Sequence, residues 1–362
     1  MRILTFAPFI LAAVSAFGFS TRLATADQGM RISGPHVHAN LAVYFVHGVS
    51  AGGAIPLTLQ EALAKGSVLV AETGQVNELQ IENTGSEEIF IQAGDIVKGG
   101  KQDRVLTVSF VLPPKSGRVP IASFCVEQGR WSARGKEDQF KFSSAHEAMP
   151  SRSALLAMVS PSEPAKTAEP VAGTESGGQT QRVQTARSND VAEKQRKVWD
   201  SVSTTQGKLS TGLNAPVYGQ SATSLQLTLE NEKLKEARAA YVTALEAAGL
   251  KDGDVIGYVV AINGKMSSAN LYPSNGLFRK MWSKQLAATV TEAIGEKRED
   301  AAPEAPKSDA AGEFLAEAER GPKQERSVAV GARVETRDAA GALYNEARQA
   351  DGKWVHRNYL AK

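Results

Sequence analysis

The sequence predicts an α+β fold, with an antiparallel β-sheet or sandwich in the N-terminal half and helices plus a β-hairpin in the C-terminal half. Residues 38–131 consist mainly of short apolar runs with period-two alternation, separated by Gly, Pro, Asn and Ser. Strands this short and this regularly punctuated favour an antiparallel sheet. Beyond residue 190, apolar residues recur at three- and four-residue spacing, which indicates helices that bury one face.

The composition excludes several classes of protein. The chain has 362 residues with 41 Lys and Arg against 39 Asp and Glu, so no global basic field favours nucleic acid as a partner. The single cysteine, Cys125, excludes an internal disulfide, and its place in the apolar run 121–126 predicts a buried thiol rather than a nucleophile. The Walker A, GxGxxG, HExxH and GxSxG motifs are absent, and we expect no cofactor.

Residues 1–26 have the pattern of a signal peptide. Arg2 supplies the positive region, residues 3–19 form the apolar run, and Ala24-Thr25-Ala26 has the small-x-small form of a cleavage site. We therefore expect cleavage before Asp27 and a periplasmic or secreted protein without a stable membrane span. The alternative is a retained anchor, although the run is slightly shorter than the ~20 apolar residues that cross a bilayer.

Residues 31–159 form the mainly β part. Strands are predicted at residues 41–46, 68–72, 79–82, 89–92, 105–112 and 119–126. Thr58 and Glu61 have capping-box spacing and predict a short helix over residues 59–65, which Gly66 can end. Both faces of the predicted strand 105–112 are fairly apolar, so we expect it to be central in its sheet.

Residues 160–190 are rich in Pro, Ala, Gly, Thr, Ser and Glu and are predicted to be a disordered insertion. Residues 191–295 follow with helices around a hairpin. One helix begins near residue 191, and a longer one is predicted to stop at Gly249. Asn263-Gly264 is the typical turn of a type I′ hairpin within residues 255–272, and Ser274 then caps a helix that ends at Gly295.

That last helix carries five large apolar residues four positions apart, which places them on one core-facing side: Phe278, Trp282, Leu286, Val290 and Ile294. Residues 296–326 are charged and rich in Ala and Pro, which predicts a loop or a loosely held helix. Residues 327–362 again have the pattern of short strands.

Two polar segments adjoin one predicted pair of strands. Residues 94–104 combine glycines with Lys101, Gln102 and Arg104, and residues 125–131 contain Glu127, Gln128 and Arg130. If the strands pair across the turn at residues 113–117, the two segments converge at one end of the sheet. Glycines let backbone amides approach a ligand closely, and the cations can complement an anionic group.

The candidate ligand-binding residues are Gly100, Lys101, Gln102, Arg104, Gln128 and Arg130, and the candidate catalytic residue is Glu127. The alternative is a buried ion-pair network in which an arginine binds Glu127 or Asp95. The sequence leaves both possibilities open.

The histidines offer a weaker hypothesis. His36, His38 and His47 could lie on one strand edge and bind a metal, but without nearby carboxylates they are more often exposed polar residues, so we predict no metal site. His356 is predicted to be a structural histidine rather than a catalytic base.

The stretch from Gly100 to Arg104, followed by residues 125–131, resembles the core signature of the ARG-and-rhodanese-phosphatase-superfamily-associated protein family, a prokaryotic domain of unknown activity. Supporting matches are Asn40-Leu41, residues 58–63, the hairpin 255–272 with helix 277–286, and Val355-His356. The resemblance covers most of residues 36–360 and implies one discontinuous domain. Asp103 stands where members commonly have Asn, and Asn270 where many carry an acid.

The family's name implies genomic association with ADP-ribosylglycohydrolase-like and phosphatase-like enzymes, which suggests nucleotide-derived or phosphorylated ligands. Two functions remain. The first is an exported protein that binds an unknown small polar or anionic ligand through Lys101, Arg104 and Arg130. The second is a hydrolase-like enzyme in which Glu127 is the general acid or base and Lys101 or Arg130 stabilises negative charge.

Overall fold

A computed structural model describes residues 29–161, 176–218, 221–298 and 304–362. The predicted signal peptide lies outside the described residues, as does the part of the predicted insertion at residues 162–175.

The strands, in chain order, are β1 (Arg31–His38), β2 (Leu41–His47), β3 (Leu57–Thr58), β4 (Val68–Glu72), β5 (Glu78–Asn83), β6 (Ile89–Ile91), β7 (Asp95–Gly99), β8 (Arg104–Leu106), β9 (Phe110–Leu112), β10 (Gly117–Cys125), β11 (Phe142–Ala148), β12 (Val255–Ile262), β13 (Lys265–Leu271), β14 (Lys323–Ser327), β15 (Arg333–Asp338), β16 (Ala342–Arg348) and β17 (Trp354–Ala361). The helices are α1 (Leu59–Ala64), α2 (Arg152–Val159), α3 (Ser176–Gly212), α4 (Leu225–Leu229), α5 (Glu232–Lys251), α6 (Asn275–Gly295) and α7 (Ser308–Ala318).

One antiparallel sheet joins the two ends of the chain. Its order is β1-β2-β12-β13-β17-β16-β15-β14, so N-terminal strands pair directly with C-terminal ones. Helices α5 and α6 pack on one face and α7 on the other, which is why every residue of β2 and β12 is buried. The fold is therefore α+β and discontinuous in sequence.

The middle of the N-terminal half forms a half-barrel. Its sheet has the order β11-β7-β8-β10-β5-β4, and a bridge between Ala71 and Lys141 brings the two edge strands together. A small sheet of order β3-β6-β9 shares its apolar core. The carboxyl ends of β4, β7 and β10 and the amino ends of β8 and β11 lie at the same end of this half-barrel.

Several local predictions are confirmed. Thr58 and Glu61 form both hydrogen bonds of the capping box at the start of α1. Asn263 and Gly264 have φ angles of 50° and 74°, as a type I′ turn requires. The Ser274 side chain accepts the Leu277 amide at the start of α6. The five apolar residues of α6 are all buried.

Gly249 does not end its helix, because α5 continues to Lys251. Its role is close packing: a Cβ at Gly249 would lie 2.5 Å from Nε1 of Trp282. The missing side chain therefore lets α5 and α6 approach each other.

The predicted strand at residues 105–112 is divided between two sheets. β8 pairs with β10, while β9 pairs with β6. Both halves are apolar on both faces because they lie between two cores: Val105 and Val111 belong to one core, and Leu106 and Phe110 belong to the other.

Two segments that the sequence predicted to be loose contain helix. α3 begins at Ser176, inside the predicted insertion. Residues 308–318, within the charged segment 296–326, form α7, which buries Ala311, Phe314 and Ala318 against the large sheet. Their spacing gives α7 an apolar face despite the high charge around it. None of the described helices is long and apolar enough to cross a membrane.

Candidate functional site at the end of the half-barrel

The two polar segments do lie side by side. β10 pairs with β8 so that Cys125 lies opposite Arg104, and the segments after Gly99 and after Cys125 meet at the same end of the half-barrel. The isolated bridge between Glu127 and Ser224 attaches the second segment to the residue that caps α4. The juxtaposition expected from the sequence is therefore present.

Most of the charged groups in these segments are buried, as in the ion-pair network that the sequence left open as the alternative. Gln102, Asp103 and Arg104 are 0% exposed and Glu127 is 1% exposed. Lys101 and Arg130 are partly exposed, and Gln128 is exposed. The buried carboxylates and guanidinium groups form ion pairs with one another, so each buried charge has a counter-charge.

Glu72 at the end of β4 is the counter-charge of Arg104. Its Oε2 lies 3.4 Å from Nη2 of Arg104, and the two side chains are 4% and 1% exposed. Arg104 Nη1 also donates to the backbone oxygen and Oε1 of Gln102, at 3.3 and 3.2 Å. Glu72 was not a sequence candidate, because only the near-closure of the half-barrel brings β4 to this end.

The glycines make room for the buried ion-pair network rather than forming an open loop around a ligand. Gly100 has φ +61°, and a Cβ there would lie 2.7 Å from Oε1 of Glu72. The same Oε1 accepts the Lys101 amide at 2.9 Å. Close approach of backbone amides to an acceptor was expected, and the acceptor is a carboxylate of the protein itself.

A second group of charges surrounds Asp103. Arg134 Nη2 lies 3.0 Å from Oδ2 of Asp103, and Arg130 Nη2 lies 3.4 Å from its Oδ1. Arg130 Nε also donates to Oε2 of Glu127 at 2.5 Å, and Arg134 lies 3.7 Å from that oxygen. Arg134, which also binds Glu137, was not a sequence candidate; its position four residues after Arg130 was the available signal.

Asp103 is the carboxyl group whose environment is least favourable to charge. Burial raises the pKa of Asp103 above its usual 3.8, and the nearby Arg134, Arg130 and Gly99 amide only partly oppose this. The neighbouring Glu127 carboxylate acts in the same direction as burial. Asp103 therefore takes up a proton at a higher pH than an ordinary aspartate does.

Two buried donors in this cluster have no acceptor within the described part of the chain. They are Nε2 of Gln102 and Nε of Arg104; Nη2 of Arg130 also makes no hydrogen bond, but it is paired with Asp103 at 3.4 Å, and on the rim the acceptor Oε2 of Glu137 lacks a partner. A buried donor without an acceptor lowers the stability of the fold by about 1–3 kcal/mol. A ligand oxygen that accepts these hydrogens would therefore bind favourably.

Glu127 is poorly placed for general acid or base catalysis. Its side chain is 1% exposed and its Oε2 accepts the Nε hydrogen of Arg130. A substrate would have to displace that arginine before it could contact the carboxylate. Asp95, the other acid considered from the sequence, binds Lys284 and not an arginine.

Cys125 is buried, as predicted, and burial raises its pKa to about 11. The thiol therefore stays protonated at neutral pH and is a poor nucleophile.

The N-terminal histidines have separate contacts. His47 binds Ser33 and Asp254, His36 packs on Phe45 and His38 on Tyr241. Over the four described ranges, the structure brings no three potential ligands together as a metal would require.

His356 is a buried histidine with both ring nitrogens hydrogen-bonded. Nε2 lies 3.0 Å from Oδ1 of Asn270, and Nδ1 lies 3.0 Å from Oγ of Ser109. Because Asn270 Nδ2 donates to Tyr258, its Oδ1 is the acceptor, so Nε2 carries the proton. Burial lowers the pKa of His356 to about 3, which keeps the ring neutral. This matches the predicted structural role.

The comparison with known proteins identifies one match. The family model described as the ARG and Rhodanese-Phosphatase-superfamily-associated Protein domain matches residues 29–360. No curated protein and no solved structure matches the chain.

Proposed function

The chain belongs to the ARG and Rhodanese-Phosphatase-superfamily-associated Protein domain family, and we propose that it is an exported protein that binds a small anionic ligand at the end of its half-barrel. The ligand class is a nucleotide-derived or phosphorylated molecule, in keeping with the association that the family's name expresses. The binding residues are those of the two polar segments.

One observation carries this proposal: two neighbouring buried donors at this end have no acceptor, Nε2 of Gln102 and Nε of Arg104. Donors without acceptors complement an oxyanion, because each phosphate or carboxylate oxygen accepts more than one hydrogen bond. One of the two belongs to a guanidinium group, which forms the stronger, charge-assisted bonds.

Arg130 and Arg134 form the entrance. Their side chains are 13% and 17% exposed, whereas those of Asp103 and Glu127 beneath them are 0% and 1% exposed. An incoming anion would meet these two guanidinium groups first, with Lys101 beside them. Gln102 and Gln128 would orient the bound group through their amides.

The charge of the cluster depends on Asp103. When Asp103 is protonated, its two arginines lose a counter-charge and the site gains net positive charge. Since burial raises the pKa of Asp103, anion binding should strengthen as the pH falls through that pKa. A site whose affinity rises at higher pH would contradict this role for Asp103.

The test is a thermal-shift titration with AMP and ribose 5-phosphate. We expect the melting temperature to rise by about 2–4 °C at a tenfold excess over Kd. Arg130→Gln should weaken binding by at least about tenfold, because a charge-assisted hydrogen bond is lost. Arg118→Gln is the matched control, since Arg118 lies on β10 with its side chain 75% exposed.

Two results would refute the binding proposal. One is the absence of a shift with both ligands, and the other is an equal shift in Arg130→Gln and the wild type. Glu127→Gln addresses the hydrolase alternative: loss of a measurable turnover by about two to four powers of ten would favour an enzyme.

Export has its own test. The proposal of export rests on the signal-peptide pattern of residues 1–26, with Ala24-Thr25-Ala26 as the cleavage site. Expression with the natural N-terminus in a Gram-negative host should yield a periplasmic protein that begins at Asp27, as measured by intact mass. An uncleaved protein that sediments with membranes would favour the retained anchor.

A further inference from the structure

A row of polar side chains crosses the large sheet far from the half-barrel end. Gln324 lies opposite Thr336, Thr336 opposite Asn345, and Asn345 opposite Asn358. Asn270 continues the row on β13, opposite Asn358. Directly opposite residues in neighbouring strands share a face of the sheet, so five amide or hydroxyl groups form one polar track.

A cleft opens onto this track. Its outer part, of about 230 Å³, is lined by Gln324, Thr336 and Arg326 together with the end of α2. Its inner part, of about 20 Å³, is lined by Asn345, Asn358 and Arg326, among others. Both parts share Arg326 and Val159, so they adjoin each other. The inner part has room for about one water-sized group, and the outer part for a small molecule.

The inner cleft contains an unused hydrogen-bond donor. Thr336 Oγ1 donates to Oδ1 of Asn345 at 2.7 Å, which leaves the amide nitrogen of Asn345 to find another partner. That nitrogen has no hydrogen-bond partner, and it is buried, since Asn345 is only 9% exposed. A buried amide donor aimed at no acceptor is unfavourable unless a ligand or water accepts its hydrogen.

Arg326 supplies the charge. In the described ranges it has no ion pair, whereas the acids around it are already engaged. Glu325 binds Lys323 and Arg333, and Glu335 binds Lys323 and Arg337. Arg326 is exposed at the mouth of the cleft, so its guanidinium group can receive a bidentate oxyanion.

Ser109 and His356 form the floor without being a catalytic pair. Ser109 Oγ accepts the Ala93 amide at 2.9 Å and donates to Nδ1 of His356. Both side chains are therefore satisfied, and a ring that resists protonation this strongly is a poor general base. The floor is neutral and polar, which suits binding rather than nucleophilic attack.

We propose that this cleft is a second ligand site, which binds a small molecule through a carboxylate or phosphate group held by Arg326 and by the amide of Asn345. The remaining polar groups of the ligand hydrogen-bond to the amides and hydroxyl of the track. The site is separate from the one at the half-barrel end, because no residue that lines the cleft belongs to the two polar segments.

The experiment uses inorganic phosphate and acetate as separate probes, at constant ionic strength set with sodium chloride, and follows the melting temperature. At least one anion should stabilise the wild type in a saturable way. Arg326→Gln should weaken its apparent affinity by at least about tenfold. Arg118→Gln, which removes an exposed arginine of β10 that lines neither part of the cleft, should leave the affinity unchanged.

Asn345→Asp provides a second, nearly isosteric variant. It keeps the acceptor for Thr336 but places a negative charge beside the bound anion, so we expect at least about tenfold weaker binding. Phosphate alone stabilising the protein would assign phosphorylated ligands, and acetate alone would assign carboxylates; stabilisation by both would assign oxyanions in general.

Arg130→Gln separates this proposal from the one for the half-barrel end. An anion effect lost in Arg326→Gln and kept in Arg130→Gln belongs to the cleft, and the reverse result overturns the cleft proposal. Absence of saturable stabilisation by either anion overturns it as well, as does equal loss in Arg326→Gln and Arg118→Gln.

Discussion

At the residue scale, burial decides which ionisable groups can change state. Glu292 on α6 lies at the start of α2, where its Oε1 accepts the Arg152 amide at 3.2 Å. Burial raises the pKa of Glu292 from 4.5 to about 7, and Arg152 only partly opposes this. The folded protein therefore binds this proton more tightly than the unfolded chain does.

The sign of the pH effect follows from that difference. The stabilisation from protonated Glu292 is fully present below pH 4.5 and is lost as the pH rises through about 7. Glu292→Gln removes the titration and keeps the acceptor for Arg152. We expect the variant to be more stable than the wild type by about 1–3 kcal/mol at pH 8 and to differ little at pH 4. Urea unfolding across this range measures the difference, and a constant difference at all pH values would contradict the assignment.

At the scale of elements, local sequence signals located many boundaries correctly, and contacts between elements explain where they did not. Thr58, Ser274 and Asn263-Gly264 act through hydrogen bonds and φ angles within a few residues, so they are readable in the sequence. Gly249 has the local pattern of a helix stop, but the structure needs its missing side chain, because Trp282 on another helix fills that space. Local pattern alone cannot distinguish these two uses of glycine.

This contrast gives a prediction for Gly249→Ala. Alanine normally stabilises a helix interior by about 1 kcal/mol relative to glycine. At Gly249 the new Cβ would overlap the Trp282 ring, so we expect a loss of about 1–3 kcal/mol. Gly312→Ala in α7 is the control, because its nearest neighbour would be Ile32 at 3.7 Å, and we expect a gain of about 0.5–1 kcal/mol. Chemical denaturation compares the two; stabilisation by both would show that α5 and α6 are not tightly packed.

At the scale of the whole molecule, the order of strands links distant segments. β2 pairs with β12, and β13 with β17, so neither half of the chain completes its sheet alone. Buried side chains attach the half-barrel to that sheet and to its helices: Ser109 bonds to His356 on β17, and Asp95 forms an ion pair with Lys284 on α6. Because these contacts connect the half-barrel with the rest of the domain, we expect the half-barrel and the large sheet to unfold together.

We therefore expect one cooperative unfolding transition for the described domain. Tryptophan fluorescence reports on both parts, because Trp131 follows β10 of the half-barrel and Trp282 on α6 packs against the large sheet, while far-UV circular dichroism reports on all elements. The two denaturation curves should coincide within error. Separate midpoints would mean that the half-barrel and the large sheet are independent units.

The candidate site shows how far prediction from sequence extends. The adjacency of its two segments was predicted from strand spacing and a hairpin turn at residues 113–117; β8 does pair with the end of β10, but β9, next to that turn, pairs with β6 instead. Their burial did not follow from the sequence, because Glu72 and Arg134 reach the cluster from other parts of the chain and neutralise it. The polar track could not be foreseen either, since Gln324, Asn345 and Asn270 meet only through strand register.

The sequence by itself determined the α+β class, the capped helices, the hairpin, the likeness to its family and the adjacency of the two polar segments, because each depends on neighbouring residues. Only the tertiary structure decided which charges are buried, which glycine permits close packing, and where unpaired donors collect. Those properties depend on which side chains, distant in sequence, pack against one another in the folded protein. The order of residues within a single element does not specify that packing.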